Sequence, residues 1–182
     1  MNRLNDFEER TITTTPIFSG RVIHVQVDDV ELPNGNTSKR ELVKHPGAIA
    51  IIAVTNEGKI VLVDQYRKAL EKMLVEIPAG KLEKGERPID CAMRELDEET
   101  GYTCKEMRFI TSFYTSPGFS DEIVYLFEAI QLEKKEVKAS LDEDEFVELL
   151  EVTLEEALEL MKEKRIHDSK TIMALQYLQL KK

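Results

Sequence analysis

The chain has 182 residues, 42% hydrophobic and 33% charged, with 8 glycines and 6 prolines, the composition of one globular domain with a modest extension rather than of a disordered or fibrous protein. Its formal net charge of -10 repels nucleic-acid backbones and anionic membranes, so neither is expected as a partner, and an anionic substrate would need metal ions or clustered arginines. The longest apolar run, Ala48 to Val54, is too short to cross a bilayer, the polar start MNRLNDFEER has no signal core, and Cys91 and Cys104 form no CxxC pair, so a cytoplasmic protein with reduced thiols is expected.

In chain order, Arg21 to Leu32 alternates apolar and polar residues, PNGNTS supplies an Asn-Gly turn, and KRELVKH opens a second strand. Together they predict a hairpin. Ala48 to Thr55 is almost continuously apolar and β-branched, as in a strand buried on both faces, and Ile60 to Tyr66 follows across the turn NEGK. LVEIP, MRFITSFYTS, EIVYLFEAIQL and FVELLEVT predict further strands, with TSPGFSDE as a loop between two of them. Helical periodicity marks Pro88 to Thr100, Leu154 to Lys164 and Lys170 to Leu180. In the first of these, Ile89, Ala92, Met93 and Leu96 form the apolar stripe, Pro88 suits the first turn and Gly101 suits the position past the end.

On that first helix Glu95, Glu98 and Glu99 are related by three- and four-residue steps and share one side. Arg94 reaches Glu98 but cannot neutralise three carboxylates, and acids near a helix C-terminus oppose the macrodipole. The preceding passage EIPAGKLEKGE carries Gly80 and Gly85, which permit a loop folded to bring Glu86 to the same cluster. Carboxylates gathered in this way are hard oxygen ligands suited to Mg²⁺ or Mn²⁺.

Gly80, Glu86 and the run Arg94-Glu95-Leu96-Asp97-Glu98-Glu99-Thr100-Gly101-Tyr102 resemble the Nudix box, GX5EX7REUXEEXGU, where U is a bulky hydrophobic residue. Tyr102 is aromatic where aliphatic residues are usual, in a packing position. The resemblance implies an α/β fold, an α/β/α sandwich with a mixed β-sheet, and metal-dependent cleavage of a nucleoside diphosphate linked to another group. It implies Glu95 and Glu99 as metal ligands, Glu98 as ligand or water-holding acid, the Ala79 carbonyl completing the coordination, Arg94 orienting a catalytic carboxylate, and Glu86 bracing the loop or binding metal through water.

Pro117, in the loop Thr115 to Glu122, lies at an offset from the box that resembles the ADP-ribose pyrophosphatase subgroup, which implies hydrolysis of ADP-ribose to AMP and ribose 5-phosphate. The same resemblance suggests that Ser120 and Glu122 bind ribose hydroxyls, that Phe119 stacks or packs, and that Arg40, Arg67 and Glu76 contact substrate. In the acidic run Asp142 to Glu145 it implies Glu143 as general base and Glu145 as an added metal ligand. Residues 1–45 resemble the β-rich extension that such enzymes use to form a homodimer, leaving 46–182 as the catalytic domain. Other readings are a Nudix hydrolase of another nucleotide sugar or an oxidised nucleoside triphosphate, or a sensor that binds ADP-ribose without cleaving it.

Overall fold

The protein is described by a computed structural model that covers residues 6–135 and 146–181. The chain forms two compact units: Met1–Gly47 with Tyr114–Ile123, and Ala48–Phe113 with Val124–Lys182.

The first unit holds a sheet in the order β1-β2-β3, made of β1 (Arg10–Ser19), β2 (His24–Glu31) and β3 (Thr37–Lys44). The expected hairpin is β2 and β3, antiparallel from His24 opposite Lys44 to Glu31 opposite Thr37. Its turn places Gly35 at φ 82, where a Cβ would be strained. β1 lies outside the strands read from the sequence. Every one of its residues is exposed, so no alternation of burial marks it; it is a strand because it pairs with β2. Pro16 is tolerated there because β1 is the edge of the three-stranded order.

In the second unit one sheet has the order β10-β5-β6, from β5 (Ile60–Arg67), β6 (Lys72–Glu76) and β10 (Val147–Val152). Another has the order β7-β4-β9-β8, from β4 (Ala48–Ala53), β7 (Ala79–Lys81), β8 (Tyr102–Tyr114) and β9 (Ile123–Lys134). β4 runs parallel to β9 and antiparallel to β7, so the sheet is mixed. The predicted helices are α1 (Pro88–Thr100), α2 (Leu154–Lys162) and α3 (Ser169–Lys181).

β4 explains the layering, because its side chains alternate between two cores. Ile49, Ile51 and Ala53 pack with Cys91, Ala92 and Leu96 of α1, while Ala50 and Ile52 pack with Leu154 and Ala157 of α2 and Ala174 and Leu175 of α3. A strand buried on both faces reads as an unbroken apolar run, as AIAIIA does. Each fully buried isoleucine contributes about 1.5–3 kcal/mol of transfer free energy. The result is the α/β/α sandwich expected from the sequence. The three-residue β7 was not legible, since a glycine within so short a segment hides any periodicity; pairing of Ile49 with Gly80 and Ala50 with Ala79 makes it a strand.

α1 begins with Pro88 at its first position and ends at Gly101, whose left-handed φ of 72 lets its N–H reach the Asp97 carbonyl. The last turn carries no basic residue. Its acids therefore depend on Arg94 one turn earlier and on partners from other segments.

Candidate active site

Two short stretches build the acidic centre of the second unit: the passage Glu76 to Glu86 and the face of α1 that carries Glu95, Glu98 and Glu99. Glu95 and Glu99 are buried, an arrangement that is costly for carboxylates unless they are partnered. The Ala79 N–H donates to Glu99 Oε2 at 2.9 Å. Gly80 passes so close to Glu95 that a Cβ built on it would lie 1.9 Å from the Glu95 carboxyl carbon. The glycine is needed here for close approach, since any side chain would fill the space that the Glu95 carboxylate occupies.

Arg94 reaches further than its spacing on the helix suggested. It donates through Nε and Nη2 to Glu86 at 3.0 and 3.1 Å, and through Nη1 to Glu95 at 2.7 Å and to Glu98 at 2.9 Å. The loop does fold Glu86 to the cluster, and the Glu83 N–H also donates to Glu86 Oε2 at 3.0 Å. The Arg94 hydrogen bonds keep the Glu86 carboxyl below its ordinary value, and those same bonds raise the guanidinium. Cys91, beside them, is pushed up to about 12 by burial, which leaves it an unreactive thiol. Asp97, which lies between these acids in the chain, is half-buried and paired with Lys135 at 2.6 Å.

These carboxylates have the hard-oxygen chemistry that suits a divalent cation. Arg94 draws three of the acids to itself, and among the described residues no three His, Cys, Asp or Glu side chains converge in a metal-holding arrangement. The donors fit the ion in kind. A cation would compete with Arg94 for Glu95 and Glu98.

Arg67 and Glu76 come together in the same unit. Arg67 donates to both Glu76 oxygens at 2.8 and 2.7 Å, and Lys170 from the start of α3 also donates to Glu76. Burial raises the Glu76 carboxyl, the two cations lower it, and the net is a lowering from 4.5. A folded-state pKa below the unfolded one stabilises the fold above 4.5, and this contribution is lost as pH falls through the folded value. The difference in Tm between wild type and Glu76→Gln should therefore shrink as pH drops below 4.5; a difference that stays constant would show that the ion pairs do not set the acid limb.

Arg40, Pro117, Phe119, Ser120 and Glu122 lie in the first unit. Arg40 forks onto Glu9 at 2.7 and 2.5 Å. Pro117 and Phe119 lie in a turn closed by the Phe119 and Ser120 N–H groups on the Ser116 carbonyl, and Phe119 is exposed. The Ser120 hydroxyl accepts from the Glu122 N–H at 3.2 Å, and Glu122 accepts from the Thr115 hydroxyl at 2.6 Å. The loop is tied to β3 through Val43 N–H to the Phe119 carbonyl and His45 N–H to Asp121. Glu143 and Glu145 lie outside the described residues.

Residues 44–175 match the NUDIX domain. The chain belongs to the NUDIX family. In this NUDIX chain residues 9–43 further match the nucleoside diphosphate sugar hydrolase N-terminal domain. The NUDIX chain is 68% identical over 174 residues to the "Methanol dehydrogenase activator" of Bacillus methanolicus, covering 96% of this chain and 94% of the relative. It is 62% identical over 178 residues to the "ADP-ribose pyrophosphatase" of Bacillus subtilis, covering 98% and 96%. A solved structure titled "Crystal structure of ADP compounds hydrolase" superposes with a TM-score of 0.81 over 94% of this chain and 92% of the other, at 19% identity, which establishes likeness of fold.

Sequence reading missed Lys170, Asp168 and Thr171, because it took Lys170 to Leu180 only as an amphipathic helix. The available signal was Thr171, a polar residue in the apolar periodicity. It is fully buried, and its hydroxyl accepts from the Ile77 N–H at 3.0 Å.

Proposed function

We propose that this NUDIX hydrolase cleaves the pyrophosphate of ADP-ribose to AMP and ribose 5-phosphate, using Mg²⁺ or Mn²⁺. The observation that carries the substrate is the 62% identity, across nearly the whole chain, to an ADP-ribose pyrophosphatase. A bound divalent cation would neutralise the pyrophosphate and acidify the attacking water.

In this reading Glu95, Glu99 and the Ala79 carbonyl hold the cation. Glu98 holds the ion or the water. Arg94 holds Glu95 and Glu98 in place through its 2.7 and 2.9 Å bonds, and Glu86 anchors Arg94 from the loop. Arg67, oriented by Glu76, contacts phosphate, for which a guanidinium is suited as a multiple donor. Arg40, Pro117, Phe119, Ser120 and Glu122 belong to adenosine and ribose recognition. Glu143 as base and Glu145 as added ligand complete the assignment.

A panel of ADP-ribose, other nucleotide sugars and oxidised nucleoside triphosphates with Mg²⁺ tests the reading. ADP-ribose should rank among the best substrates by kcat/KM; a poor rank would overturn the substrate assignment. The 68% identity to a methanol dehydrogenase activator favours a second reading, in which the chain raises the turnover of a methanol dehydrogenase. Adding wild type and Glu99→Gln to such an enzyme tests it, and unchanged turnover with wild type would dismiss it.

We also infer that residues 1–45 form a homodimer interface with 46–182 as the catalytic domain. Ile12, Ile17 and Phe18 are exposed on the edge strand β1, and an uncovered apolar edge favours pairing with a second copy. Sedimentation should give a dimer that Ile17→Asp converts to monomer; a wild-type monomer would refute the interface.

A further inference from the structure

The first turn of α3 is packed behind the passage that carries Glu76 and Ala79. The Val75 N–H donates to the Arg165 carbonyl at 2.9 Å, Lys170 donates to the Glu76 carboxylate, and the Ile77 N–H donates to the Thr171 hydroxyl at 3.0 Å. Two residues further on, the Ala79 N–H meets Glu99. Three consecutive residues are thus tied to the C-terminal segment just before the chain enters β7.

Lys170 is the charged part of this brace. Its side chain is 16% exposed, that of Glu76 is 2% exposed and that of Arg67 is 40% exposed. Asp168 holds Lys170 at 2.9 Å and caps the Thr171 N–H with the same oxygen at 3.1 Å. The buried Glu76 carboxylate therefore lies between a cation held on the inner side and another that reaches solvent. Arg67 also lies within electrostatic range of Glu99 and Asp168. Its Nε and Nη2 are committed to Glu76, so the orientation of the guanidinium follows that of the carboxylate.

We propose that Lys170 is a positioning residue for substrate binding: by pinning the buried Glu76 carboxylate it fixes the direction in which Arg67 presents its guanidinium to an anionic phosphate. This rests on the reading that Arg67 contacts the substrate. Removing the ammonium leaves Glu76 free to swing with Arg67 attached, so binding suffers while the acids of α1, held by Arg94, keep their places.

The test is a double-mutant cycle in the full chain, following KM and kcat for ADP-ribose together with Tm. Lys170→Met should raise KM about tenfold with kcat changed less than about threefold, as loss of a charge-assisted contact made equally in ground and transition states does. Lys170→Arg should restore most of the affinity. Arg67→Met should raise KM by itself, and Lys170→Met should then add less than about twofold, because the two act through one contact. If Lys170→Met does not fold, Glu76→Gln with Lys170→Met removes the buried charge together with its counter-charge and should show the same rise in KM. A lowered Tm with unchanged KM, or effects that multiply independently, would overturn the proposal. Unchanged KM in Arg67→Met would instead remove the assignment of Arg67 to substrate and take the proposal with it. A wild type inactive on ADP-ribose would locate the failure in the substrate reading, and the cycle would then be run on the best substrate of the panel.

Discussion

Gly80→Ala should lower turnover at least about a hundredfold while leaving a folded protein, since misplacing a reacting group by about an ångström has that effect. The added Cβ would lie 1.9 Å from the Glu95 carboxyl carbon and 2.3 Å from its Cγ, far inside van der Waals contact. The backbone cannot retreat easily, because Gly80 is paired to Ile49 in β7 and Ile49 is fully buried. Relief must come from the glutamate, which would leave the place where Arg94 holds it at 2.7 Å. Overpacking of this kind costs about 1–3 kcal/mol, seen as a lower Tm. Gly35→Ala is the contrast. It has φ 82 with no atom within 4 Å of a built Cβ, so it strains a hairpin turn without touching the acidic centre. Full activity in Gly80→Ala would mean that the position of Glu95 does not matter to the chemistry.

Glu99→Gln should reduce kcat by at least about a hundredfold at saturating Mg²⁺, more than losses from outer-shell changes at metal sites, and weaken Mn²⁺ binding measured by calorimetry. The amide keeps an oxygen that can accept the Ala79 N–H, the 2.9 Å bond that ties β7 to α1, so Tm should change little. What it lacks is charge, both for a cation and for the nearby Arg67, which Glu99 influences. The calorimetric measurement separates ion binding from catalysis. Unchanged kcat and unchanged Mn²⁺ affinity would remove Glu99 from the metal site.

Much of the centre was legible because it lies within one short stretch. The helical period alone put Glu95, Glu98 and Glu99 on one side, and Pro88 and Gly101 bounded α1 correctly. The same period could not show that Arg94 holds Glu86, Glu95 and Glu98 together. That depends on the loop returning across the helix. Nor could the period show that Lys135, just past the end of β9, pairs with Asp97. β1 escaped notice because it buries nothing, and Lys170 because its partner lies 94 residues away.

The sequence by itself determined the two-faced burial of β4, the limits of α1 and the register of its acids, all of which follow from local periodicity and from the backbone freedom of particular residues. Only the tertiary structure decided the closeness of Gly80 to Glu95, the closure of Arg94 over three carboxylates, and the bracing of Glu76 by Lys170. Each of these joins segments whose spacing along the chain carries no period, and the last two exist because a buried charge must find its partner wherever the fold brings one.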